Sequence, residues 1–182
     1  MASQKRRLLS AIVGQVLEIG PGTGVNLKYY GKDVSWTAAE PNVFMHSRLL
    51  RAASAAEIEA EVSTAAAEKL PYPSESFDAV VATLVLCSVR DVNAALCETF
   101  RVLRPGGRFV FIEHVAAPPG TRTRAVQRLA APLFGLLADC RPCQETGALI
   151  ASVFGESNAE NFVVPFPVVG PHLAGSATKR LK

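Results

Sequence analysis

Short apolar, β-branched runs alternate along the chain with longer stretches of helical periodicity, which is how a parallel sheet covered by helices reads in sequence. The pattern predicts a first strand over 15–19, a helical segment over 25–30, a second strand over 35–39, and a helix over 42–53 with Asn42 as its cap. A third strand is expected over 58–62. Residues 65–76 are rich in turn formers, and 77–86 make a near-continuous apolar run suited to a central strand. Asp91 is placed to cap a helix reaching Leu103, in which Ala95, Leu96, Thr99, Phe100 and Leu103 share one face and which Pro105-Gly106-Gly107 ends. A fifth strand follows over 107–115.

Beyond it Pro118-Pro119-Gly120 interrupts the alternation. Helices are expected over 121–137, with Pro132 straining it, and over 144–154. Segments 161–164 and 172–177 read as an antiparallel pair closing the sheet edge. No repeat, low-complexity tract or linker marks a second domain, and 182 residues suffice for one core. The expectation is a single domain over 1–182, a doubly wound three-layer α/β/α sandwich.

The net charge of +3 comes largely from Lys5-Arg6-Arg7 and Lys179-Arg180-Lys182, read as solvated ends. No basic helix or aromatic-interleaved basic face accompanies them, so no nucleic-acid partner is expected. Neither a signal peptide nor a membrane span is visible, since the longest apolar stretch, 79–89, falls far short of ~20 residues. The chain therefore reads as soluble and cytoplasmic. Cys87 and Cys97 are expected as buried, small apolar residues in a strand and a helix. Cys140-Arg141-Pro142-Cys143 has the spacing of half a zinc site, but no second pair or suitably spaced histidines complete it, so no metal is expected.

The strongest chemical signal is Val16-Leu17-Glu18-Ile19-Gly20-Pro21-Gly22-Thr23-Gly24, a buried strand running into a glycine loop that lets backbone approach a ligand closely. A dinucleotide fold wants G-x-G-x-x-G, whereas here the glycines alternate as G-x-G-x-G and Val25 stands where the third would be. Glu18 suits a ligand with an ammonium group; its other reading is a carboxylate that caps a neighbouring helix or holds the loop. Glu40 ends the second strand, where a carboxylate accepts hydrogen bonds from both hydroxyls of a ribose. The turn 66–70 should face the glycine loop across the sheet switch point, with Ala67 and Glu68 as candidates for contacting an adenine.

With Glu18 to Gly24, Glu40, Phe77-Asp78 and Arg101-Val102-Leu103-Arg104-Pro105-Gly106-Gly107 in that order, the chain resembles the class I methyltransferase superfamily, of the small-molecule kind. More narrowly, Thr83-Leu84-Val85-Leu86-Cys87-Ser88-Val89, Glu113-His114-Val115 and Val169-Gly170-Pro171-His172 resemble the group whose animal members are membrane-associated alkyl-thiol S-methyltransferases. The resemblance implies seven strands in the order 3-2-1-4-5-7-6, mostly parallel, and S-adenosylmethionine as donor. It also implies a small apolar thiol as acceptor, and a donor site that takes in Pro21, Thr23, Pro41, Thr83 and Leu84 beside the residues above. Two departures stand out: Ala66 replaces an aspartate common in the superfamily, and residues 1–14 make a front shorter than the thiol-methylating group's, with Leu8, Leu9 and Ile12 as a remnant helix face.

Methyl transfer from a sulfonium is an in-line displacement, so alignment and exclusion of water are the protein's main tasks. A thiol with a pKa near 8.5 is already a few per cent thiolate at neutral pH. His114 is the candidate for removing or orienting the acceptor proton, with a hydrogen-bonded structural role as its alternative. His172 would face the acceptor or fasten the closing hairpin, while His46 has no evident chemistry. Leu129, Leu133, Phe134, Leu136 and Leu137 would wall the active site or serve as helix core; exposed, the same face suits peripheral contact with a membrane surface. The function expected is methyl transfer to a small molecule, first a thiol, next an isoprenoid-like or phenolic acceptor. The alternative is a non-catalytic methyltransferase-fold binding module.

Overall fold

The computed structural model describes residues 1–138, 140–166 and 168–180. Helix α1 (Ala2–Leu9) leads into β1 (Gly14–Ile19), β2 (Val34–Ala39), α2 (Val43–Ala55), β3 (Ala60–Ser63) and β4 (Phe77–Thr83). The second half comprises α3 (Val92–Val102), β5 (Leu103–His114), α4 (Arg122–Ala138), α5 (Thr146–Phe154), β6 (Ser157–Val163) and β7 (Pro171–Thr178). All seven strands join one sheet in the order β3-β2-β1-β4-β5-β7-β6. Pairing is parallel from β3 to β5, and β7 runs antiparallel between β5 and β6. The architecture is the doubly wound α/β sandwich expected, with the sheet order that the family resemblance implied.

Two apolar clusters cover the sheet. Leu17, Ile19, Val80, Leu96, Phe109, Phe111, Ile150 and Phe154 form one with α3 and α5. Leu9, Ile12, Val16, Leu27, Trp36, Leu49, Val81 and Val110 form the other with α1 and α2. The period-2 alternation of β5 produces this division: Phe109 and Phe111 face one layer and Val110 the other. Leu9 and Ile12 thus sit in the core, as the apolar spacing of the front suggested.

Several boundaries differ from the expected ones. Residues 25–30 make only a short 3-10 turn, Leu27–Tyr29, because Asn26 and Tyr30 both turn inward onto Glu18 and the chain must then reach β2. Ile58 lies outside β3. Its amide bonds Ala53 O and the amide of Glu57, at φ 57, bonds Ser54 O, a left-handed cap that closes α2 and carries a hydrophobic residue past it. The apolar run at 77–86 leaves the sheet after Thr83, where Leu84 adopts φ 55; Leu86 stays buried by packing under the turn. Strand β5 begins at Leu103, earlier than expected, with a register shift that places Phe77 opposite Leu103 and Ala79 opposite Arg108.

The basic ends are only partly solvated. Lys179 is buried, donating to Leu103 O at 2.8 Å with its ammonium over the Phe100 ring. Lys5 is buried too; burial pushes its ammonium pKa down, with the Glu18 charge opposing. Lys182 lies outside the described residues. Cys97, expected to be buried, is exposed on α3.

Candidate active site

The sheet order reverses direction between β1 and β4, and the loops leaving their carboxyl ends part there, the usual place for a ligand in an open α/β sheet. An open cleft of about 800 Å³ occupies this position, lined by residues that follow β1, β2 and β4, including Gly20, Glu40, Pro41, Ala67, Glu68 and Leu84.

Glu40 is the most committed polar group in the cleft. It is buried, its Oε2 accepts the Gly22 amide at 2.8 Å and its Oε1 accepts the Asn42 amide at 2.9 Å. Each oxygen keeps a lone pair, so the carboxylate can still accept from a diol. Its backbone is held as well, by His46 Nε2 on Glu40 O at 2.7 Å, a contact the sequence offered no signal for beyond a histidine one turn into α2. Because the Gly22 amide is taken by Glu40, this loop does not offer that N–H to a phosphate. Gly20 and Gly22 take positive φ, and a side-chain carbon on Gly20 would collide with Val85.

The remaining residues expected at the site divide. Gly20, Glu40, Pro41, Ala67, Glu68 and Leu84 line one cleft. Glu68 Oε1 is engaged there by the amides of Arg90 and Asp91, at 2.7 and 3.3 Å, at the start of α3. Pro21, Gly22 and Thr23 form the loop beside it, with Gly24 closing the turn onto Pro21 O and packing against Leu27, Leu49 and Ala52. Thr83 accepts from Asn26 Nδ2 at 3.1 Å. Asp78 lies at the other end of β4, where it accepts from the Gln15 amide and from Arg104.

Glu18 points into the protein. Its carboxylate accepts from Asn26 Nδ2 at 2.7 Å, Tyr30 OH at 2.7 Å and Trp36 Nε1 at 3.1 Å. Burial pushes its pKa up, against those three donors and Lys5. It is the loop-holding alternative that this geometry matches, and the three donors were not legible as a set in the sequence.

His114 lies outside the cleft lining, with Nε2 at 3.0 Å from Cys140 Sγ and Nδ1 without a partner among the described residues. Burial, and after it the neighbouring His172, brings its pKa down to about 4, so the ring is neutral at pH 7. His172 Nδ1 bonds Gly170 O at 2.8 Å, fastening the turn into β7. Glu113, one residue before His114, is wholly buried and accepts the Val85 amide at 3.0 Å. Burial pushes this carboxyl up to about 8, against the amides of Val85, Leu86 and Leu84. Glu113 therefore holds the turn after β4 that forms one wall of the cleft.

A second, largely apolar groove of about 1000 Å³ opens between the segment after β5 and the β6–β7 pair, with Ala117, Phe162, Val164, Phe166 and His172 among its lining. Helix α4 stands beside it and is tied down through Gln127, which bonds the Ala117 amide, Val115 O and Val168 O. Its leucines are not core: Leu129, Leu136 and Leu137 are 86, 82 and 74% exposed. Among the described residues no helix is long and apolar enough to cross a membrane.

Comparison with known proteins agrees with this geometry. Residues 17–111, from β1 to β5, match a family described as a methyltransferase domain. The chain is 35% identical to the human thiol S-methyltransferase TMT1A over 98% of its own length and 80% of that protein. Among solved structures it resembles the cyclase SpnF, with a TM-score of 0.78 at 17% identity over 99% of this chain and 80% of that one. It also resembles the geranyl diphosphate C-methyltransferase of Streptomyces coelicolor, with a TM-score of 0.73 at 13% identity over 98% and 80% of the two chains. A cyclase and a methyltransferase on one fold show that these structural likenesses speak for architecture alone. The family match across the glycine loop, Glu40 and β4, together with the near full-length likeness to TMT1A, makes the chain a member of the S-adenosylmethionine-dependent methyltransferases.

Proposed function

We propose that the protein, acting as a single domain over 1–182, transfers the methyl group of S-adenosylmethionine to a small apolar thiol. The observation that carries the donor half is the buried Glu40 carboxylate, braced by Gly22 and Asn42 and still able to accept from two hydroxyls. In this reading Glu40 holds the ribose of the donor and the Gly20–Gly24 turn lies along its amino-acid part. Ala67 and Leu84 flank the adenine face, while Glu68 braces the start of α3. When bound, the donor supplies an electrophilic methyl on a sulfonium. The chain's task is to align the acceptor with it and exclude water.

Likeness to TMT1A supports the thiol as acceptor. A thiol needs little help to ionise, and with a ring pKa of about 4 His114 is a poor base for it. His114 enters this reading by what it holds, and Glu18 by bracing the loop. The apolar groove beside His172 favours a second reading, methylation of an isoprenoid-like or phenolic carbon or oxygen.

Titration calorimetry of the purified chain with S-adenosylmethionine, then with NAD, tests the donor half. The first should bind and the second should not. Glu40→Ala should weaken donor binding by about 1.5–3 kcal/mol, roughly 10- to 150-fold, through lost charge-assisted hydrogen bonds. Incubation with alkyl thiols should yield methyl sulfides. If only phenols or isoprenoids are methylated, the second reading replaces the first; if the folded chain binds no donor, a non-catalytic binding module does.

The partner surface in this reading is an anionic membrane. Helix α4 carries exposed Arg122 and Arg128 and no acidic residue, Arg124 being paired with Glu145, and its exposed face presents Leu129, Leu133 and Leu136. Co-sedimentation with vesicles containing phosphatidylserine should be substantial for the native chain. It should fall to the level of neutral vesicles in the Leu129→Asp, Leu136→Asp double variant; equal sedimentation of the two proteins would remove α4 as the contact.

A further inference from the structure

Three groups that methyl transfer does not need meet beneath the cleft wall. Cys87 sits in the turn after β4, His114 ends β5, and Cys140 follows α4; all three are buried, and their ligand atoms lie within 4.8 Å of one another. They come from segments 26 and 27 residues apart or more, so only the tertiary fold assembles them. The Cys140-Arg141-Pro142-Cys143 spacing concealed this, because the partner of Cys140 is not Cys143. We propose that Cys87, His114 and Cys140 form a binding site for a thiolate-seeking divalent ion of the Zn²⁺ class.

The ligand set points to that class. Two sulfurs and one imidazole select soft or borderline ions over Mg²⁺ or Ca²⁺. The spacing agrees. Zn–S and Zn–N bonds of about 2.3 and 2.0 Å imply ligand-to-ligand edges of about 3.4–3.8 Å in a tetrahedron. The observed separations, 3.0 Å from His114 Nε2 to Cys140 Sγ and at most 4.8 Å for the rest, bracket those edges. Charge also balances: the ion replaces two thiol protons, which leave to solvent, and a dication with two thiolates and a neutral imidazole is a net-neutral unit suited to a buried place. No oxidant or reductant takes part.

Three protein ligands leave the fourth tetrahedral position to water, as in open zinc sites. The bound ion would join the turn that carries Leu84, Val85 and Ser88 of the cleft wall to the end of β5 and to the segment that anchors α4. Its role would be to fix that wall of the cleft, whichever acceptor is used.

The test uses the full chain, reduced and stripped of metal, titrated with Co²⁺ and followed by absorption. A single equivalent should bring up a thiolate-to-cobalt charge-transfer band and the intense visible bands of a tetrahedral site, both erased by Zn²⁺. Cys143→Ser should keep the signal, whereas Cys87→Ser and Cys140→Ser should each lose the charge-transfer intensity. Zn²⁺ should also raise the melting temperature of the native chain in proportion to the logarithm of its concentration. Should the serine variants fail to fold, the native chain decides alone: folded, fully reduced protein without a charge-transfer band overturns the site. So does a band that survives in folded Cys140→Ser.

Discussion

Replacing Glu18 with alanine is expected to cost about 3–5 kcal/mol of stability, a large part of what a domain of this size possesses. Among the described residues, the substitution removes the acceptor of Tyr30 OH and Trp36 Nε1 and one of two for Asn26 Nδ2, leaving buried donors without those partners. Urea unfolding should show the loss as a lower midpoint. Glu18→Gln separates the two sides of this residue, since glutamine keeps a carbonyl acceptor but never carries charge. The folded carboxyl has its pKa raised by burial above the ordinary 4.5. The native state therefore keeps the proton where the unfolded chain has released it, and the protonated group's contribution is full below about pH 4.5 and lost as pH rises through the folded value. The stability of the native chain relative to Glu18→Gln should accordingly fall as pH rises over the range above about pH 4.5. A difference that stays flat across that range would mean the donors offset burial completely.

Gly20→Ala is expected to damage stability and donor binding together. The residue sits at φ 60, and an alanine there carries about 1–2 kcal/mol of backbone strain. Its added carbon would also collide with the Val85 side chain, at a further cost of about 1–3 kcal/mol if the turn must shift. That turn is the cleft wall held by Glu113, so displacement there reaches the ligand directly. The melting temperature should fall, and calorimetry should show donor affinity reduced at least tenfold. Native affinity in the variant would mean that the 84–85 turn yields without consequence for the site.

Much of this was legible before the structure. Strand periodicity, the glycine loop and the acid at the end of the second strand are local signals, each confined to a few neighbouring residues, and the fold uses them as written. What escaped were relations between distant residues. Nothing in the neighbouring sequence marks Tyr30 and Trp36 as the donors that meet on Glu18, and the inward turn of Tyr30 is also why 25–30 does not form a helix. The α4 leucines, at helical spacing, read equally as core or surface; which face is covered depends on packing partners that periodicity does not name. Cys87 and Cys140 lie 53 positions apart, and a spacing rule looked only at Cys143.

The insertion of β7 between β5 and β6 sets an order of events during synthesis. Strand β6 leaves the ribosome before the strand that will pair with it, and β5 meanwhile presents an open edge on that side. The parallel half, β3 to β5, can assemble while the chain is still growing, but the other half must wait for Pro171–Thr178 and then form both antiparallel ladders together. Until then Ser157–Val163 is a strand without a sheet, and β5 is the edge at which a nascent chain is most exposed to pairing with a neighbour.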